Sequence, residues 1–60
     1  MKKQEIKVGD FWEAKSFSAV IRVEKLEGDI VFFQWPDFIQ DKHDRSLFED
    51  RFKFMERGEN

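Results

Sequence analysis

His43 lies between Lys42 and Asp44 and is the only histidine in a chain that has no cysteine at all. A transition-metal site would have to be built from carboxylates beyond that one imidazole, a donor set that zinc and its neighbours seldom use. A Ser-His-Asp arrangement needs a buried, oriented imidazole, and the polar neighbours of His43 offer no apolar shelter. The acidic pairs Glu49-Asp50 and Asp41/Asp44 read as solvated surface. The residues therefore predict a chain without catalytic side chains, bound metal or cofactor, and not an enzyme.

What the sequence does hold in quantity is aromatic surface, with eight Phe and two Trp in 60 residues. A chain of this length buries only about 60% of the surface it exposes when unfolded. Without a disulfide or a metal, packing alone must hold it, and aromatic side chains carry the most apolar area per ordered residue. One single domain over 1–60 is expected, with fraying over 1–5 and 56–60.

The elements that would position these rings centre on Ser18 to Trp35, which reads as two strands turning at Glu27-Gly28-Asp29. Gly28 is the only glycine between positions 10 and 57, and it sits where a positive φ is wanted. Along the first strand Ile21 and Val23 alternate with Arg22 and Glu24, which sets a buried and a solvated face. Strict alternation would push Leu26 into water, and a bulge near Lys25 would return it to the core. Matching across the turn places Val31, Phe33 and Trp35 inside and Ile30, Phe32 and Gln34 outside.

Upstream, Ile6 to Lys15 reads as one strand kinked near Gly9, with Trp12 and Ala14 inward, followed by a tight Ser16-Phe17-Ser18 link. Downstream, Pro36 ends the third strand. Asp37 to Arg45 reads as a polar loop with room for a short strand around Phe38 to Gln40. Ser46-Leu47-Phe48-Glu49 has the spacing of a capping box, so one helical or 3-10 turn is expected before a last strand at Arg51 to Phe54, with Phe52 and Phe54 inward.

The fold class that follows is mainly β, with four to five antiparallel strands and one short helical turn near the C-terminus, and this order of elements resembles a small SH3-like barrel. Val8-Gly9-Asp10, then Trp12 and Ala14, Ala19, Val31-Phe32-Phe33 and Leu47 resemble the Tudor-type branch of that superfamily, over roughly Lys7 to Phe54. The resemblance implies an aromatic cage for a methylated cation. Carried over, Phe17 and Phe33 take aromatic positions, and Trp35 or Phe38 supplies the remaining wall. Ser16 stands where a further aromatic is expected, and Asp37 only approximates the acidic position. The alternative is that Phe17, Phe33 and Trp35 are core.

Two binding readings remain. The first is a non-catalytic protein-interaction module, an accessory or inhibitory protein of a phage or mobile element, docking a protein partner or a second copy through an outward strip of Phe32, Ile30 and Phe11 flanked by Arg22 and Gln34. The second is a small barrel that stacks single-stranded RNA or DNA on Phe32, Trp12 or Trp35, with Lys2, Lys3, Lys7, Arg22, Arg51 and Lys53 on phosphates. Net charge is −2 with 40% charged residues, and no basic stripe is visible, which favours the first. The charged residues after Met1 do not read as a signal peptide, and no stretch approaches the ~20 apolar residues of a membrane span. A cytoplasmic location is the default expectation.

Overall fold

The computed structural model describes residues 5–58. Its elements run β1 (Phe11–Ala14), β2 (Val20–Glu27), β3 (Ile30–Gln34), β4 (Gln40–Asp44), α1 (Arg45–Arg51) and β5 (Phe52–Glu56). All pairings are antiparallel, and the strands form one sheet in the order β4-β3-β2-β1-β5. The sheet is open: β4 and β5 are its two edges and do not pair, so the expected closed barrel is not formed.

The β2–β3 turn forms where the sequence places it. Glu27 pairs with Ile30 across Gly28-Asp29, and Gly28 takes φ 59°. A positive φ at the first position of a two-residue hairpin loop is the glycine position of a type II′ turn. An added Cβ at Gly28 would meet nothing within 4 Å, so the constraint there is the backbone's own. Further along, the register shifts between Val23 and Lys25: Val23 faces Phe33, Lys25 faces Phe32 and Leu26 faces Val31. Glu24 is the extra residue, and this bulge brings Leu26 back against the core.

Three segments differ from their sequence reading. Residues 6–10 are not part of a kinked strand: Lys7 to Asp10 form a turn in which Asp10 N donates to Lys7 O (3.1 Å) and Gly9 has φ 94°. The loop read over 37–45 contains β4, five polar residues that extend because they pair with β3 along their whole length. A charged, polar strand is the ordinary guard of an open sheet edge, and pairing overrides its weak strand propensity. The capping box does not form either. Asp44 is the N-cap, without a side-chain cap, and Ser46 lies within the helix.

The helix spans one face of the sheet. At its start Arg45 N donates to Asp29 O in the β2–β3 turn (2.6 Å), and at its end Arg51 O accepts from Lys15 N (2.9 Å). Phe48, on the inward side, is wholly buried, and its ring meets Trp12 (5.0 Å), Phe33 (5.6 Å) and Phe52 (4.9 Å). Ile6, Ala14, Ile21, Val23 and Val31 complete this core.

Near the C-terminus Arg57 and Gly58 lie against the turn over 7–10; residues 1–4 and 59–60 of the expected frayed ends lie outside the described residues. Arg57 lies over the Phe54 ring (5.6 Å), and its guanidinium reaches the buried Asp10 carboxylate (3.5 Å). Asp10 Oδ2 also accepts from Lys7 N (2.9 Å). A Cβ at Gly58 would overlap the Gly9 carbonyl, so only glycine fits where the two ends cross.

The register predicts opposite outcomes for neighbouring phenylalanines. Phe33→Ala removes a ring with no exposed surface and is expected to cost ~3–5 kcal/mol, enough to unfold a domain whose total stability is about 5 kcal/mol. Phe32→Ala is expected to cost about 1 kcal/mol, since its half-buried ring leaves no enclosed cavity. Urea titration of both variants measures the difference.

Candidate docking surface

The sheet face away from α1 carries all five residues of the strip read from sequence. Phe11, Arg22 and Gln34 stand in one cross-strand row, with Arg22 paired to both of the others. The next row is Lys25, Phe32 and Lys42, and the one after it Glu27, Ile30 and Asp44. Phe32 is half-buried, covered by two lysines from the flanking strands and not by a loop: Lys25 Nζ lies 5.3 Å and Lys42 Nζ 5.7 Å from its ring centre. Cation–π attraction and the lysine stems account for that cover. Arg22, held to Glu24 at 3.1 Å, and Gln34 separate Phe11 from Phe32, so the apolar strip is interrupted. Beside Phe32 a shallow groove of about 430 Å³ has Ile30, Phe32 and Leu47 as its apolar surface and a mixed rim of Glu27, Lys42, His43 and Asp44.

Larger aromatic exposure lies at one end of the sheet, where the β1–β2 and β3–β4 connections meet solvent. Phe17 is 58% exposed and stacks on Trp35, with ring centres 5.8 Å apart and planes 19° from parallel. Pro36, Asp37 and Phe38 make the β3–β4 turn: Phe38 N donates to Trp35 O (2.9 Å) and Trp35 N to Ile39 O (2.8 Å). Phe38 is 80% exposed and Ile39 59%. Phe38 also has φ 68°, the only positive φ at a non-glycine residue among those described. A three-residue hairpin loop asks for a left-handed residue at this position, usually glycine or asparagine. A phenylalanine accepts it at a cost of roughly 1–2 kcal/mol.

The cage residues are thus partly assembled. Phe17 and Trp35 are in contact, and Phe38 belongs to the same end. Phe33 has no exposed surface and cannot face a ligand; it supports Trp35 from below, edge to face at 5.6 Å. Trp35 Nε1 donates to Asp41 Oδ2 (3.3 Å), which fixes the indole's orientation. Asp37 is exposed in the turn. Next to the Phe17–Trp35 stack a pocket of about 160 Å³ is lined by Ala14, Ser16, Phe17, Trp35, His43, Arg51 and Phe52. Phe52 was not among the sequence-derived site residues, and Arg51 entered there only as a phosphate contact; both arrive at this pocket because α1 delivers the start of β5 to this end.

His43 projects to the inner face, half-buried, with its ring 5.3 Å from Phe33 and 6.3 Å from Phe52. Tertiary contacts supply the shelter its sequence neighbours lack. Asp41 has structural employment, its second oxygen accepting from Lys42 N (2.7 Å). Among the described residues no three His, Cys, Asp or Glu side chains gather as a metal site, and no helix is long and apolar enough to cross a membrane.

The sequence matches no protein-family model, and neither curated proteins nor solved structures show a significant match.

The stack makes a spectroscopic prediction. Trp12 is 3% exposed, so the accessible tryptophan is Trp35, shielded on one side by Phe17. Phe17→Ala is expected to raise acrylamide quenching of the tryptophan emission and to cost at most about 1.5 kcal/mol, the worth of one aromatic pair. Unchanged quenching would mean that the two rings do not stack in solution.

Proposed function

We propose that this chain is a non-catalytic, cytoplasmic protein-interaction module that docks through the aromatic end of its sheet, with Phe38, Ile39, Phe17 and Trp35 as the contact residues. The observation that carries the reading is Phe38, a large apolar side chain 80% exposed and held at φ 68°. Nothing in folding rewards that choice, since an asparagine or glycine would relieve the strain and remove the exposed ring. Strain retained at an exposed residue is the expected signature of a surface kept for binding. The strand order, with a helical turn between β4 and β5, is compatible with the SH3-like layout of the sequence reading, whereas the open sheet and the buried Phe33 argue against a complete Tudor-type cage.

One observation favours a second reading, single-stranded nucleic acid at Phe32: an aromatic ring flanked by two ammonium groups suits a stacked base between phosphates. Against it, several of the cations it would use are already beside carboxylates: Lys7 near Glu5, Arg22 on Glu24, Lys53 near Glu13 and Lys25 near Glu27. Lys2 and Lys3 lie outside the described residues. This reading requires binding of single-stranded oligonucleotides that weakens steeply as salt rises.

Phe38→Asn separates folding from binding. The variant is expected to match wild type in urea stability or exceed it by up to about 1 kcal/mol, because asparagine tolerates the left-handed conformation. In capture experiments it is expected to lose the proteins that wild type and Phe32→Ala both retain. Equal retention by Phe38→Asn, with loss in Phe32→Ala, would move the docking surface to the sheet face.

A further inference from the structure

Resting on the reading that the aromatic end is the docking end, we propose that the pocket beside the Phe17–Trp35 stack receives a peptide segment that presents a bulky apolar side chain next to a carboxylate. Its apolar part is made by the rings of Phe17, Trp35 and Phe52. At about 160 Å³ it is close to the ~150 Å³ apolar cavity that accommodates a benzene ring. Trp35 and Phe52 lie 5.6 Å apart, and both rest on the wholly buried Phe33, so the slot is preformed.

The polar part decides the charge of the ligand. Arg51, His43 and Ser16 line the pocket, and no acidic side chain does. Asp41, which orients the Trp35 indole, is not among the lining residues. Arg51 is exposed in the last turn of α1, and its guanidinium makes no ion pair or hydrogen bond among the described residues. A guanidinium is permanently charged and presents a planar fork that matches a carboxylate in two parallel hydrogen bonds. The same group repels a methylated ammonium, and no carboxylate lines the pocket to offset it. The charge at this pocket is therefore the reverse of what a methyl-cation cage requires, and it selects an anion beside the inserted apolar group.

The test is a titration of the whole ¹⁵N-labelled chain with three capped pentapeptides: acetyl-Glu-Glu-Phe-Glu-Glu-amide, its glutamine counterpart and its lysine counterpart. The acidic peptide is expected to move the Trp35 Nε1–H and Arg51 Nε–H signals and to bind at least roughly threefold more tightly than the glutamine peptide, the scale of an exposed ion pair. That advantage should shrink as salt rises. Arg51→Gln should abolish it while leaving the glutamine peptide's effect on Trp35 unchanged, and Arg51→Lys should restore part of it.

Glutamine or lysine peptides that move the Trp35 signal as strongly as the acidic one would overturn the carboxylate preference and leave the docking end standing. If none of the three moves it, both fall. A thymidine hexanucleotide that displaces the acidic peptide and moves Trp35 further would overturn the proposal in favour of nucleic acid.

Discussion

The contact among Phe33, Phe48 and Phe52 is the constraint on which the remainder depends. The three rings lie 4.9 to 5.6 Å from one another and come from β3, α1 and β5. A five-stranded open sheet has one face to cover, and α1, seven residues long, is too short to hold its helix by backbone bonds alone. Phe48 anchors it in the sheet, the turn at Asp29 holds its start, and Lys15 holds its last carbonyl. Without this aromatic joint, β5 would have no reason to cross to the far edge beside β1.

The same joint runs outward. Phe33 touches Trp35, Trp35 touches Phe17, and Phe17 meets solvent, so ring contacts lead from the centre of the core to the exposed end. Surface rings built on such a support are held in place, and under the proposed docking role that would lower the ordering cost of binding. At the opposite end of the hairpin Gly28 makes the tight turn, and the bulge at Glu24 sets the register that follows it. Tight turn chemistry there and strained turn chemistry at Phe38 are the physical difference between the two ends.

Much of this was legible in the chain. The single glycine at 28 and the Ile21/Val23 alternation fixed the central hairpin and its inner face, and the misfit of Leu26 was enough to require the bulge. Local pattern could not reveal β4, because Gln40 to Asp44 carry only weak strand propensity and extend through pairing with β3. The supposed capping box at Ser46 failed for a similar reason: β4 runs directly into the helix, and Asp44 takes the cap position first. The outward placement of Ile30, Phe32 and Gln34 follows from alternation, but the lysines over Phe32 depend on the cross-strand register created by the bulge. Exposure of Phe38 depends on turn geometry that Pro36-Asp37 hints at and Phe38 itself disguises, since its residue type argues for burial.

The partition of the phenylalanines between the core and the solvent-exposed end of the sheet can be read directly by fluorine NMR. Uniform incorporation of 4-fluorophenylalanine gives one resonance for each of the eight phenylalanines, and the shift on moving from H₂O to D₂O reports each ring's contact with solvent. Large isotope shifts are expected for Phe38 and Phe17, a small one for Phe32, and none for Phe33, Phe48 and Phe52. A Phe38 resonance insensitive to D₂O, or a Phe33 resonance as sensitive as Phe17, would contradict this partition.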